Sequence, residues 1–153
     1  MRLTSTDFSD DGRIPSVCTC EGEDASPALA WIDAPAATRS FVVLCNDPDA
    51  PNGVWRHWAA YDIPRGWSRL ARGAGRASGR EPPKQAINDF GRVGYGGPCP
   101  PPKDGAHHYR FSLLALSVER LSVHNGAHCS DVEREARKHV LAETTLVGLF
   151  ERL

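Results

Sequence analysis

Two carboxylates, Asp47 and Asp49, and one imidazole, His57, fall within the fourteen residues 45–58 (CNDPDAPNGVWRHW). A second polar knot at 94–109 (GYGGPCPPPKDGAHHY) adds His107, His108 and Tyr109. Imidazoles donate hydrogen bonds to an anion and gain charge near pH 6.5. Glycine- and proline-rich loops expose backbone N–H groups that can cup phosphate oxygens. Bare carboxylates would repel such an anion, so Asp47 and Asp49 are expected to orient and charge a histidine, or to meet a cationic part of the ligand. A zwitterion carrying phosphate and ammonium satisfies both signs. The two knots are therefore expected to meet around one pocket.

Two other chemistries use the same residues. Paired Asp and His can run general acid–base hydrolysis, with Cys99 or water as nucleophile. No nucleophile elbow, phosphate loop or HExxH accompanies them, and the prolines beside Cys99 supply no N–H for an oxyanion hole. Asp47, Asp49, His57 and His107 are also acceptable metal ligands, but their spacing fits no metal motif. The favoured reading is a non-enzymatic binder of a small anionic group, with no cofactor and no metal.

Elements must deliver these groups. Proline (12) and glycine (14) punctuate short apolar runs, the rhythm of a β-rich chain. The runs at 41–44 (FVVL) and 58–63 (WAAYDI) read as strands flanking the first knot. The run at 109–118 (YRFSLLALSV) begins with alternation and becomes continuously apolar, which predicts a central strand covered on both faces. Successive strand side chains point to opposite faces, so Tyr109 shares the side of His107 and His108 takes the other. Weaker strands are expected at 17–20 and 29–32. Ser130 followed by Glu133 reads as a capping box opening a helix over about 131–142, with Val132, Ala136 and Val140 as its apolar stripe. The run at 144–153 reads as a last strand.

Composition sets outer bounds. The chain has 153 residues, a length for one domain, and a formal net charge of −1, which gives no global pull toward nucleic acid or an anionic membrane. Segment 65–84 carries six basic residues against Glu81 and reads as a solvated loop rather than a nucleic-acid arm, Trp67 being its only aromatic residue. The N-terminus reads as polar and acidic rather than as a signal peptide, and no run is long enough to cross a bilayer. Five cysteines without a secretion signal predict reduced thiols and a cytoplasmic protein. The prolines at Ala50–Pro51 and at 98–102 are candidates for a cis peptide bond.

In order along the chain, SPALAW (26–31), DPDAP (47–51), HW (57–58), YDIP (61–64), NDFGRVGYGGPCPP (88–101), HHYRF (107–111) and LVGLFER (146–152) resemble the motifs of the phosphatidylethanolamine-binding protein family. The similarity is to its short bacterial, Raf kinase inhibitor-like branch, and covers nearly the full length. It implies a mainly β, α+β fold across 1–153, with a large central antiparallel sheet, a smaller sheet and one or two flanking helices. It also implies an anion pocket formed by Asp47, Asp49, Pro51, His57, Gly97, Pro98, His107 and Tyr109. The ligand expected there is phosphate or a phosphoethanolamine-like head group. A homodimer and a modulated protein partner are further expectations. Stable membrane insertion is not expected. Eukaryotic relatives carry a further helical extension beside the pocket, whereas this sequence ends at Leu153. Functions resting on that extension, kinase inhibition among them, are not expected to transfer.

Overall fold

A computed structural model describes residues 1–76 and 82–153. The elements in chain order are β1 (Arg2–Thr4), β2 (Gly12–Arg13), a 3-10 turn (Ser16–Cys18), β3 (Leu29–Ile32), β4 (Ser40–Asp47), β5 (Trp55–Pro64), β6 (Arg69–Leu70), β7 (Lys84–Gln85), β8 (His107–Leu116), α1 (Cys129–Arg137) and β9 (Val140–Phe150). A six-stranded sheet runs β2-β9-β8-β4-β5-β7 and a three-stranded one runs β1-β3-β6. Pairing is antiparallel throughout, except that β2 lies parallel to β9.

Double-sided burial of the central strands follows from their sequences. Along β4, Phe41, Val43 and Cys45 enter a core shared with Trp31 and Leu3 of the smaller sheet, while Val42 and Leu44 enter a second core under α1. Along β8, Tyr109, Phe111 and Leu113 take the first side, and Leu114 and Leu116 the second. Alternation of this kind leaves β4 and the Phe111–Leu116 part of β8 with no solvent face, which is why those stretches read as nearly unbroken apolar runs.

Several elements differ from the sequence expectation. Residues 17–20 are not a strand: Ser16–Cys18 form the 3-10 turn, which follows Pro15. The helix opens earlier, with His128 as N-cap and the Asp131 carboxylate accepting from the His128 N–H at 3.1 Å. Asp131 therefore takes the reaching role assigned to Glu133, whose carboxylate instead accepts from Asn46 Nδ2 on β4 at 3.1 Å. Glu133 also pairs with Arg137, at 3.4 Å. The helix ends at Arg137, and Val140 starts β9 rather than closing a helical stripe. A cis peptide bond joins Pro82 to Pro83, not Ala50 to Pro51 or the 98–102 run. Part of the basic segment 65–84, residues 77–81, lies outside the described residues.

The N-terminal segment is laid directly on β9. Asp11 N–H donates to the Val147 carbonyl and Ile14 N–H to the Leu149 carbonyl, both at 2.8 Å. This approach depends on Gly148, where a Cβ would overlap Ile14 and stand 2.9 Å from Phe8 Cε2. Gly148→Ala should therefore destabilise the fold by about 1–3 kcal/mol through overpacking. Urea denaturation checks this, and an unchanged midpoint would mean that Phe8 and Ile14 yield without cost.

Candidate functional site

The two polar knots converge at one end of the six-stranded sheet. Their side chains line a cavity of about 170 Å³ bounded by Asp47, Ala50, Pro51, Trp55, His57, Phe90, Cys99, Pro100, Pro101, His107 and Tyr109. The cavity is smaller than a drug-sized pocket of roughly 300–1,000 Å³ and suits a head group rather than an acyl chain.

His57 owes its placement to a β-bulge. Cys45 pairs with Trp58 and Asn46 pairs with Arg56, so His57 is the extra residue of β5 with no partner on β4. Bulges of this kind re-aim a side chain and are common beside functional sites. The ring is 2% exposed and its Nδ1–H donates to the Gly96 carbonyl at 2.6 Å. Since a carbonyl can only accept, Nε2 of the neutral ring carries the lone pair. That Nε2 is buried without a hydrogen-bond partner among the described residues, and so is the Tyr109 hydroxyl. The two rings meet edge to face at 5.3 Å, and Phe90 packs against the other side of His57 at 5.4 Å. Burial holds the His57 pKa below the ordinary histidine value and pushes the Tyr109 phenol up.

His107 is arranged differently. Its Nδ1 lies 2.7 Å from Asp47 Oδ2 and its Nε2 lies 2.7 Å from Asp104 Oδ2. Burial opposes protonation of this ring, but bonds to the two carboxylates outweigh it and raise the pKa. With both nitrogens committed, His107 cannot itself donate to a ligand. It acts as the charged link between β4, β8 and the loop carrying Asp104. Asp47 is fixed further by an Asx turn, its Oδ1 accepting from the Asp49 N–H at 2.8 Å.

The remaining predicted residues separate into lining and support. Pro51 lines the cavity. Asp49 does not: it binds the His108 N–H at 2.8 Å and His108 Nδ1 at 2.7 Å on the exposed face. Those bonds hold its carboxyl below the usual range, the backbone one contributing most. Gly97 and Pro98 lie behind the wall rather than on it. The Gly97 N–H donates to Asp24 Oδ1 at 2.8 Å, and a Cβ there would overlap that carboxylate and the Cys18 carbonyl. Gly97 thus serves close backbone approach, not an anion nest. Trp55, Phe90 and Asp104 were not singled out from the sequence. Asp104 had a local signal, standing three residues before His107, whereas nothing in the spacing announces Phe90.

Cys99 also departs from expectation. It forms a disulfide with Cys20, 79 residues away, with a Cα–Cα distance of 5.4 Å. This separation suits a bridge that only the folded chain brings together. The expected reduced state therefore holds for Cys18, Cys45 and Cys129, all buried. Cys99 offers no thiol to act as a nucleophile, and reduced cysteines no longer support a cytoplasmic location. No helix among the described residues is long and apolar enough to cross a membrane. No group of three or more His, Cys, Asp or Glu side chains among them is placed to hold a metal ion.

A sequence profile of the family described as phosphatidylethanolamine-binding protein matches residues 4–151. A UPF0098 protein of Aquifex aeolicus is 45% identical over 152 residues, covering 99% of this chain and 89% of the relative. The crystal structure of Escherichia coli YbcL, described as a new member of the mammalian PEBP family, superposes with a TM-score of 0.94 at 33% identity, covering 99% of this chain and 98% of that one. A putative PEBP homolog from Chlamydia trachomatis, CT736, gives a TM-score of 0.87 at 34% identity, covering 99% and 97%.

The His107 arrangement has a measurable pH signature. A histidine whose folded pKa is raised contributes stability that is full below its unfolded value, about 6.5, and fades as pH rises through the folded value. The stability gap between wild type and His107→Gln should therefore be widest near pH 6 and narrow toward pH 9. Chemical denaturation across that range checks it; a gap independent of pH would show that His107 is not protonated in the fold.

Proposed function

We propose that this chain, which belongs to the phosphatidylethanolamine-binding protein family, binds one small oxyanion-bearing head group between His57 and Tyr109 without turning it over. The observation that carries this reading is the pair of buried polar atoms, His57 Nε2 and Tyr109 Oη, that find no partner among the described residues and belong to residues lining one cavity. Leaving a buried polar atom unpaired costs about 1–3 kcal/mol, so two in one hollow argue for a ligand that satisfies them.

The expected ligand follows from charge. Neutral His57 presents a lone pair, which repels an oxyanion. Binding must therefore bring a proton, either taken up by Nε2 or carried on the ligand. Once protonated, His57 and the Tyr109 hydroxyl both donate to oxyanion oxygens. Asp47 and Asp104 set two carboxylates against the single imidazolium of His107. A ligand with a cation beside its oxyanion, such as phosphoethanolamine, balances that excess better than a bare dianion. Cys99 is consumed in its disulfide, which removes the side-chain nucleophile that a hydrolase would use.

Titration calorimetry with phosphoethanolamine is the test. Wild type should bind; His57→Ala and Tyr109→Phe should each weaken binding by about tenfold or more, the loss of one hydrogen bond to a charged group. Full affinity in both variants would remove the pocket from the reading. With inorganic sulfate, which does not titrate near neutrality, affinity should fall up to tenfold per pH unit above the depressed His57 value, with one proton taken up per ligand. A pH-independent sulfate affinity would show that His57 does not supply the proton.

A further inference from the structure

We propose that the Cys20–Cys99 disulfide is a thiol-exchange site that sets the affinity of the pocket: oxidised, it holds one wall in place, and a dithiol reductant releases it. This rests on the binding reading of the same cavity. Cys99, Pro100 and Pro101 form that wall. In the run 98–102, Pro98, Pro100, Pro101 and Pro102 have no backbone N–H, so the stretch cannot be fastened through a ladder of its own donors. Cys99 is also its only side chain able to form a strong tie.

The two ends of the bridge differ in firmness. Cys20 follows the 3-10 turn, where Ile14, Cys18 and Thr19 are fully buried. The Tyr95 hydroxyl donates to the Cys18 carbonyl at 2.7 Å, and the Ala25 N–H donates to the Val17 carbonyl at 3.0 Å. Around Cys99 the other ties are sparse. Cys20 N–H donates to the Pro98 carbonyl at 3.1 Å, Lys103 N–H to the Arg152 carbonyl at 3.1 Å, and Arg152 Nη1 to the Pro100 carbonyl at 3.4 Å. Beyond these, the Asp104 N–H donates to the Pro101 carbonyl at 3.2 Å, and His107 Nε2 holds the Asp104 carboxylate near the far end of the segment. The disulfide therefore couples a soft wall to a firm anchor.

The same surroundings suit exchange. Cys20 is exposed and open to an attacking thiolate, whereas Cys99 is half-buried. Arg152 Nη1 lies 3.4 Å from Cys99 Sγ, where its charge stabilises the departing thiolate. One thiolate of the dithiol attacks Cys20 Sγ, the S–S bond breaks, and Cys99 leaves with the electron pair and takes a proton. The second thiol of the reductant then closes on the mixed disulfide and frees Cys20 as a thiol. The protein gains two electrons and two protons, and the dithiol loses them in becoming a cyclic disulfide. Cys18, Cys45 and Cys129 are all buried, so reshuffling to another internal partner is disfavoured.

Calorimetry with phosphoethanolamine, on wild type before and after reduction by dithiothreitol and on oxidised-buffer Cys20→Ser, tests the proposal. Reduced wild type and Cys20→Ser should each bind about tenfold more weakly than the oxidised protein, from lost preorganisation. Arg152→Ala should slow reduction by dithiothreitol about three- to tenfold, through its poorer leaving group. Equal affinity in oxidised and reduced wild type overturns the proposal and leaves the binding reading standing. Failure of every form, the oxidised one included, to bind phosphoethanolamine overturns both. Thermal melting in the same buffers separates wall from fold: loss of cooperative melting on reduction overturns the proposal, because the bridge then holds the whole chain.

Discussion

Burial of both faces of β4 and β8 is the constraint on which the site depends. Each strand alternates between a core shared with the smaller sheet and a core under α1. A slip of one residue would move every apolar side chain to the wrong layer, so the register is held by the whole apolar content of the strands. That register also decides which residues enter the pocket. His107 and Tyr109 continue the face of Phe111 and Leu113, while His108 and Arg110 point outward. The site is thus specified by packing well away from it.

Electrostatics then divides two imidazoles of one pocket into different tasks. His107, bracketed by Asp47 and Asp104, holds its proton more tightly than a free imidazole and serves as a cationic rivet. His57, surrounded by Phe90 and Tyr109 and tied at Nδ1 to a carbonyl, is kept neutral and carries a free lone pair. Burial drives the His57 pKa down against the opposing pull of the Gly96 carbonyl, whereas at His107 the two carboxylates outweigh burial and raise it.

Much of this was legible in the chain because the signals are local. The alternation around 109–116 and the β-branched run at 41–44 announce buried strands, and the junctions with polar knots announce where chemistry gathers. The proline and glycine rhythm marked a β-rich architecture. What was not legible depends on distance or on small geometric accidents. Nothing near Cys20 marks Cys99 as its partner, since the bridge exists only after the sheets have stacked. The bulge at His57 contains no glycine to betray it. The start of α1 was displaced because Ser130 and Asp131 both offer capping oxygens, and the fold uses the carboxylate that reaches back to His128. Gly97 looked like part of an anion cradle, yet its lack of a side chain serves contact with Asp24 and Cys18.

The outer border of β5 is almost bare of regular pairing, since β7 matches only Ala60 and Tyr61. The irregular chain between β7 and β8 takes over, with the Ala86, Asp89 and Gly96 amides donating to the Ala59, Arg56 and His57 carbonyls respectively. The segment that brings Phe90 and the Gly96 carbonyl to His57 is therefore also a cover strip for an open sheet margin. Peeling it away would uncover a row of strand carbonyls ready to recruit another molecule, so dismantling the cavity wall around His57 and a tendency to self-associate are physically joined in this architecture.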